Sequence, residues 1–277
     1  AGKTTTIKMV CGLVEPTAGS IQINDIPVHK NRRTIMQQIG AVLEGTRNVH
    51  WTLSVWENLL YFGHLKGLWG KPLTNRAEEL LKELELWERR NDLVRIFSRG
   101  MQQKVAIACA LIADPPVVLL DEPTLGLDVQ AARTVKELIT RLAREQNKTV
   151  ILTTHQLDLA QEVCDKVAII ADGEIVTDHS LNDLMALFQK EYYEIKLGCQ
   201  VLPTSLTTLN DMTVDEDAEQ GILLSGTIQN QDHLYALVEE LRALKIPLHS
   251  LNRVEPSLED IFLHYITHEN NPEEMKP

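Results

Sequence analysis

The chain contains no run of the ~18 uninterrupted apolar residues that a membrane helix requires. Its nearest approach, Val105 to Leu120, is broken by Asp114, Pro115 and Pro116. A soluble chain is therefore expected, with any role at a membrane exercised through a partner. Cysteine is scarce. Cys11, Cys109, Cys164 and Cys199 are scattered and no two form a CxxC pair. The expectation is reduced, mostly buried thiols in a cytosolic protein. A chain of 277 residues buries a full core without disulfides or structural metals. Basic residues are also short, 27 Lys/Arg against 39 Asp/Glu, for a net charge of −12. The deficit is local. Residues 1–190 carry 22 Lys/Arg and 23 Asp/Glu, whereas residues 191–277 carry 5 and 16. This places a boundary near residue 190 and sets the acidic part against phosphate backbones, so no nucleic-acid partner is expected. Finally, no strand precedes AGKTTTIKMVCGL, which reads as the middle of a motif, and the chain is read as a fragment on that ground.

What is present is ordinary globular composition, 44% hydrophobic and 24% charged. A helix is expected from Lys3 to about Val14, then short strands at Ser20–Ile23 and Ile39–Leu43, with Asn24-Asp25 as a turn. Helical periods run from Val55 to Ile96, and NRAEELLKELELWERR is the clearest amphipathic segment. A helix from Met101 to Ala113 leads to the apolar run Val117–Leu120, which reads as a buried parallel strand. A helix from Val129 to Glu145, a second buried strand at Thr149–Leu152 and a helix from Leu157 to Cys164 follow. Asp172-Gly173 marks a hairpin within Lys166–Val176. Strands alternating with helices predict a parallel sheet covered on both faces. After residue 190 the order becomes strand (Tyr192–Leu197), helix (Leu202–Leu209), strands (Met212–Val214, Ile222–Ile228), helix (Asp232–Leu244) and strand (Leu248–Val254). A last helix spans Ser257–Thr267. This βαββαβ order predicts a small ferredoxin-like unit.

The chemistry begins at Gly2-Lys3-Thr4-Thr5, which matches the end of the phosphate-binding pattern G-x-x-x-x-G-K-[ST] ahead of a helix. Free N–H groups and the dipole at a helix start favour an anion there. Lys3 would reach β- and γ-phosphates and Thr4 would ligate Mg²⁺. Gly-Lys-Thr alone also occurs in unrelated turns. Asp121-Glu122, closing the apolar strand VVLLDEP, changes the balance, since carboxylates at a buried strand end are costly without a metal or water to meet them. Asp121 is placed to hold Mg²⁺ and Glu122 to polarise an attacking water. Ser98, in Phe97-Ser98-Arg99-Gly100-Met101, opens a helix as a second anion site or as a plain cap. His155 ends the strand TVILTTH, at the edge where open parallel sheets bind ligands.

From Gly2 to about Val176 the chain resembles the ATP-binding subunit of an ABC transporter. The resemblance implies an α/β fold, a P-loop NTPase parallel sheet with an inserted helical subdomain at about 50–112. It divides the chain into an ATPase domain over 1–190 and a small C-terminal α+β, ferredoxin-like domain over 191–277. It implies ATP and Mg²⁺ as cofactors. Gly2, Lys3, Thr4 and Thr5 correspond to the Walker A loop, Asp121 and Glu122 to Walker B, FSRGM to the signature, TLGLD to the D-loop and His155 to the switch histidine. Glu122 and His155 are the implied catalytic residues, the second as a γ-phosphate contact. Thr4, Asp121 and Glu44 are placed at the metal. Ser98, Gly100 and Asp128 would contact ATP held by a second copy in a head-to-tail dimer. The segment Glu255-Pro256-Ser257-Leu258-Glu259-Asp260-Ile261-Phe262 resembles the ends of drug and antibiotic exporter subunits, which implies export through a separate membrane-spanning permease subunit at the inner face of the cell membrane. Three residues depart from the family pattern: Glu44 stands for the Q-loop glutamine, Arg99 for a glycine and Met101 for a common glutamine.

Trp51, Trp56, Trp69 and Trp87, with Tyr61 and Phe62, lie between the Q-loop and the signature. They serve either as the core of the helical subdomain or, in part, as a groove for a helix of the membrane subunit. Two other functions compete with transport. A soluble ABC ATPase acting on ribosomes or DNA usually carries two cassettes or long coiled coils, and neither is visible. A regulatory, weakly catalytic half of a heterodimer is suggested by Glu44 and Arg99 and opposed by Asp121, Glu122 and His155. Residues 191–277 hold no phosphate-binding or metal-ligand pattern and are expected to serve assembly or regulation.

Overall fold

Helix α1 (Lys3–Val10) follows Gly2, whose φ is 96°. It stops short of Val14 because the Leu13 N–H bonds to the Lys8 carbonyl at 2.9 Å, a closure that ends helices. Strands β1 (Gln22–Ile23) and β2 (Ile26–Pro27) form a hairpin turned by Asn24 and Asp25, at φ 48° and 63°. Helix α2 (Arg32–Gln38) runs directly into β3 (Ile39–Val42). The computed structural model describes residues 2–45, 48–187, 192–199, 212–217, 221–228, 231–254, 258, 259 and 261. These fall into two units, Ala1–Val163 with Ile170–Glu174, and Cys164–Ile169 with Ile175–Pro277.

Helix α3 (Val55–Leu65) opens with a capping box. The Ser54 hydroxyl oxygen accepts from the Glu57 N–H at 3.2 Å, and the Glu57 carboxylate accepts from the Ser54 N–H at 2.8 Å. The Ser54 N–H, and after it the Ser54 hydroxyl that also donates to the carboxylate at 2.8 Å, hold the Glu57 carboxyl below its ordinary value. Helix α4 (Gly70–Glu83) buries Leu73, Ala77, Leu80 and Leu81, one face at helical spacing. It ends at Glu83, before the LELWERR of the expected segment. Glu85 takes φ 59° and the Leu86 N–H bonds back to the Leu81 carbonyl at 2.7 Å, so that Leu84 and Leu86 are both buried.

Helix α5 (Arg99–Leu111) leads to β4 (Val117–Asp121), every residue of which is buried. Helix α6 (Val129–Arg144), β5 (Thr149–Thr153) and α7 (Leu157–Val163) follow. Strands β3, β4 and β5 form a parallel sheet in that order, as the alternation predicted. Each fully buried Val or Leu on β4 contributes about 1.5–3 kcal/mol of transfer free energy. Helix α5 rests closely on β3. A Cβ at Gly40 would lie 2.3 Å from the Ala110 carbonyl oxygen, so only glycine permits that approach. Strand β5 corrects the expectation of a second buried strand. It pairs with β4 alone among the described residues, and Thr149 and Ile151 on one face are exposed.

Strands β6 (Lys166–Ala171) and β7 (Glu174–Ser180) pair around Asp172 and Gly173, at φ 45° and 89°. Helix α8 (Leu181–Leu187) follows. The last sheet contains β8 (Tyr192–Leu197), β9 (Met212–Asp217), β10 (Gly221–Thr227) and β11 (Leu248–Val254), with α9 (Gln231–Ala243) joining β10 to β11. Its order, β11-β8-β10-β9 with every neighbour antiparallel, is that of the ferredoxin-like split βαβ unit. Leu237 and Leu241 of α9 pack on Ile195, Leu197, Ile222 and Leu224. The expected helix Leu202–Leu209, and the expected helix from Ser257 apart from Leu258, Glu259 and Ile261, lie outside the described residues.

Lys66 caps α3 and carries its ammonium into the first unit, where Nζ donates to the carbonyls of Ile39 (2.8 Å) and Met36. It thereby ties the helical region to the base of β3, and burial lowers its pKa. Lys66→Met keeps the stem and removes both bonds. A loss of about 1–3 kcal/mol is expected, read as a lower urea midpoint at unchanged slope.

Candidate functional site

Strand β4 delivers Asp121 to its C-terminal end with 1% of the residue exposed. A carboxylate buried there needs donors, and three meet it. The Thr4 hydroxyl, on α1, donates to Oδ1 at 3.1 Å. The Glu44 backbone N–H, just beyond β3, donates to Oδ2 at 3.3 Å. The Thr153 hydroxyl, at the end of β5, also donates to Oδ1. Thr153 escaped the sequence reading. Its signal was the parallel register, in which Asp121 stands opposite Thr153, so the hydroxyl of TTH had to come level with the carboxylate.

Glu122 leaves the strand at φ 51°. Its N–H is held by the Thr153 carbonyl at 3.0 Å, and its carboxylate Oε2 meets Nδ1 of His155 at 3.0 Å. With the proton on Nδ1, Nε2 of His155 is left available. Their side chains are 12% and 57% exposed, so the carboxylate is shielded and the imidazole is wet. Thr124 donates to Gln156 at 2.6 Å, a further tie between the two strand ends that the sequence reading passed over.

The loop bearing Glu44 is pinned by Asn48, another residue the sequence reading missed. Its Oδ1 accepts from the Leu43 N–H at 3.1 Å, and its Nδ2 donates to the carbonyls of Leu43 (2.7 Å) and Gly45 (3.1 Å). Between this loop and α5 lies a pocket of about 70 Å³, lined by Glu44, Asp121, Glu122, Arg99, Gln102 and Trp51 among others.

The structure thus brings Thr4, Glu44 and Asp121 together, and Glu122 with His155. Gly2, Lys3 and Thr5 form the start of α1, with the Gly2 carbonyl accepting from the Thr6 N–H at 2.9 Å. Ser98, Gly100 and Asp128 are grouped elsewhere, on the first turns of α5 and α6. The Ser98 hydroxyl oxygen caps α5 by accepting from the Met101 N–H at 3.3 Å. Asp128 caps α6 by accepting from the Ala131 N–H at 2.8 Å. Gly100, buried, abuts Ala131.

Among the described residues no cluster of three or more His, Cys, Asp or Glu side chains could hold a metal ion. Thr4 and Asp121 nevertheless present two hard oxygen atoms in contact. That donor set fits Mg²⁺, which retains waters and takes substrate oxygens rather than an all-protein cage. The aromatics divide. Trp56 and Trp87 meet edge to face at 6.1 Å, with Arg90 lying 4.2 Å over Trp87. Trp51, Tyr61 and Trp69 are exposed, Trp69 stacked on His64 at 4.2 Å. All four cysteines are unpaired. Burial pushes the Cys11 thiol up to about 11.

A parallel sheet whose strand ends gather a Lys-Thr helix start, a buried Asp and a Glu–His pair defines a P-loop nucleoside triphosphatase. A profile described as ABC transporter matches residues 1–125, and a domain of unknown function matches residues 192–252. The chain is 34% identical over 269 residues to the linearmycin resistance ATP-binding protein LnrL of Bacillus subtilis, covering 95% of this chain and 85% of that one. It is 34% identical over 273 residues to the bacitracin transport ATP-binding protein BcrA of Bacillus licheniformis, covering 96% and 85%. A solved structure of an ATP-binding subunit of an ABC transporter superimposes with a TM-score of 0.61 at 32% identity, covering 68% of this chain and 77% of that one. The chain belongs to the ATP-binding subunits of ABC transporters, and its activity is ATP hydrolysis. Among the described residues no helix is long and apolar enough to cross a membrane.

Proposed function

We propose that the chain powers export through a separate membrane-spanning subunit, hydrolysing ATP between two head-to-tail copies at the inner face of the cell membrane. Relatives named for linearmycin resistance and bacitracin transport, aligned over 95% and 96% of the chain, support the export class. The chemistry rests on one observation, the Glu122–His155 pair beside an Asp121 that already binds Thr4. In this reading the N–H groups at the start of α1, from Gly2 to Thr5, and the Lys3 ammonium take the β- and γ-phosphates. Thr4 and Asp121, with Glu44 beside them, hold Mg²⁺, which neutralises phosphate charge when bound. Glu122 accepts a proton from the attacking water. The water oxygen bonds to the γ-phosphorus as the bond to the ADP oxygen breaks. His155 orients Glu122 through Nδ1 and offers Nε2 to the γ-phosphate.

Ser98, Gly100 and Asp128 serve the nucleotide of the second copy. The Ser98 oxygen is engaged in its cap, but its proton is free to donate. Exposed Trp51, Tyr61 and Trp69 form the surface offered to the permease. The ATPase work belongs to residues 1–190, and residues 191–277 serve assembly or regulation. Sedimentation of the full-length protein carrying Glu122→Gln tests the shared site. A dimer with MgATP and a monomer without are expected, and a monomer in both overturns it. Glu44 adds a carboxylate near the phosphates, tolerable only with the metal between. Glu44→Gln is expected to lower the Mg²⁺ dependence of hydrolysis, and overlaid Mg²⁺ titrations would make Glu44 a spectator.

A further inference from the structure

Ser98 is exposed, yet both of its flanks are held by one side chain. Phe97, just before it, is buried, and Met101, three residues on, is half-buried. Arg89, at the end of a short 3₁₀ turn (Trp87–Arg89), reaches both. Its Cζ lies 4.6 Å over the Phe97 ring, a cation–π contact, and its Nη1 donates to the Met101 sulfur at 3.4 Å. Its Nε is held by the Asp92 carboxylate at 2.8 Å. Asp92 is itself fixed through its backbone. Its N–H donates to the Arg89 carbonyl at 3.0 Å, and its carbonyl accepts from the Val55 N–H at 3.1 Å, at the start of α3. The guanidinium is thus anchored on α3 and straddles Ser98. The Met101 whose sulfur it holds is also the residue whose N–H the Ser98 oxygen accepts from. Gln102 completes the brace, donating to the carbonyls of Val94 at 3.3 Å and Phe97 at 3.1 Å.

We propose that Arg89 is a positioning residue for the nucleotide of the second copy. It fixes the turn from Phe97 to Met101, so that the Ser98 hydroxyl is presented in one orientation before the copies meet. A group ordered in advance loses less freedom on binding. Arg89 touches no nucleotide in this account and acts through Phe97 and Met101. The proposal rests on the reading of Ser98 as a contact to the second copy's nucleotide. It also gives Met101 a task. A thioether accepts weakly from the guanidinium, and the glutamine common at this position in the family would offer a carbonyl oxygen instead. A planar guanidinium can stack on a ring and donate along its edge at once, which an ammonium cannot, so lysine is a poor substitute.

The test uses the full-length protein carrying Glu122→Gln as parent, with its dimerisation in MgATP followed by sedimentation. Arg89→Ala is expected to raise the dimer dissociation constant about tenfold, since about threefold at each of two equivalent contacts multiplies. Arg89→Lys should lose nearly as much. Binding of a fluorescent ATP analogue to the monomer should not change, because Arg89 serves the other copy's site. Met101 supplies the rescue. Met101→Leu keeps the bulk without the acceptor and should weaken dimerisation about threefold, Met101→Gln should stay near the parent, and Met101→Leu should add little once Arg89 is Ala. Arg89→Ala dimerising within about twofold of the parent overturns the proposal. So does a loss accompanied by a lower melting temperature and weaker analogue binding in the monomer, which marks general loosening. Ser98→Ala separates this proposal from the reading beneath it. If Ser98→Ala weakens dimerisation and Arg89→Ala still adds its full effect, the shared site stands and the role of Arg89 is overturned. If the parent stays monomeric in MgATP, or Ser98→Ala dimerises like the parent, the shared-site reading fails and the proposal falls with it.

Discussion

Replacing Glu122 by Gln is expected to stop turnover while leaving nucleotide binding intact. The amide keeps the size of the carboxylate and a hydrogen bond to Nδ1 of His155, so the 3.0 Å contact has a neutral equivalent. What the amide lacks is the ability to take a proton from water. Loss of a positioned general base costs roughly 10²–10⁴-fold in rate. The check is steady-state phosphate release beside analogue binding, both on the full-length protein. Hydrolysis within a factor of about three of the parent would remove Glu122 from the role given to it.

Asp121 is expected to be costlier still, because it serves the fold as well as the reaction. Asp121→Ala strands the Thr4 and Thr153 hydroxyls and the Glu44 N–H around a buried hole. The Thr153 hydroxyl is buried and the other two donors are partly so; a buried donor left without an acceptor costs about 1–3 kcal/mol, so a fall in melting temperature should accompany the loss of activity. Asp121→Asn separates the two effects. Its amide oxygen still accepts from some of these donors, so most stability should return, while the charge that would hold Mg²⁺ is gone. Hydrolysis by the Asn variant is expected to stay at least about 100-fold down, consistent with a lost transition-state electrostatic partner. Full Mg²⁺-dependent activity in Asp121→Asn would contradict the placement of the metal there.

The parallel sheet was legible because Val117–Leu120 is apolar without interruption and ends in two acids, a pattern that depends on few other residues. That Glu122 and His155 share one edge of the sheet was legible for the same reason: both follow strand ends, and parallel strands bring their ends to one edge; their direct contact was not read from the sequence. Thr153 was not, since a threonine in a strand is usually there for its β-branched shape. The break after α4 was hidden because Leu80, Leu81, Leu84 and Leu86 fit a helical stripe closely enough. Only the need to bury Leu84 and Leu86 together, with Glu85 at φ 59° between them, shows that the chain turns. Half-exposed β5 reads as buried from TVILT because apolar content states what a strand is able to bury. What covers it is decided by its neighbours.

Glu122 sets folding against function at a single residue. Its φ of 51° suits glycine or asparagine and costs a longer side chain about 1–2 kcal/mol. That same twist is what turns the carboxylate off the strand axis and onto His155. A copy of this gene relieved of its work, and selected only to fold, would gain by exchanging Glu122 for Gly. Decay would therefore begin at the reacting group rather than at the edges of the molecule. A silent duplicate of such a protein would be expected to melt later than its working parent, with every other part of the nucleotide site still in place.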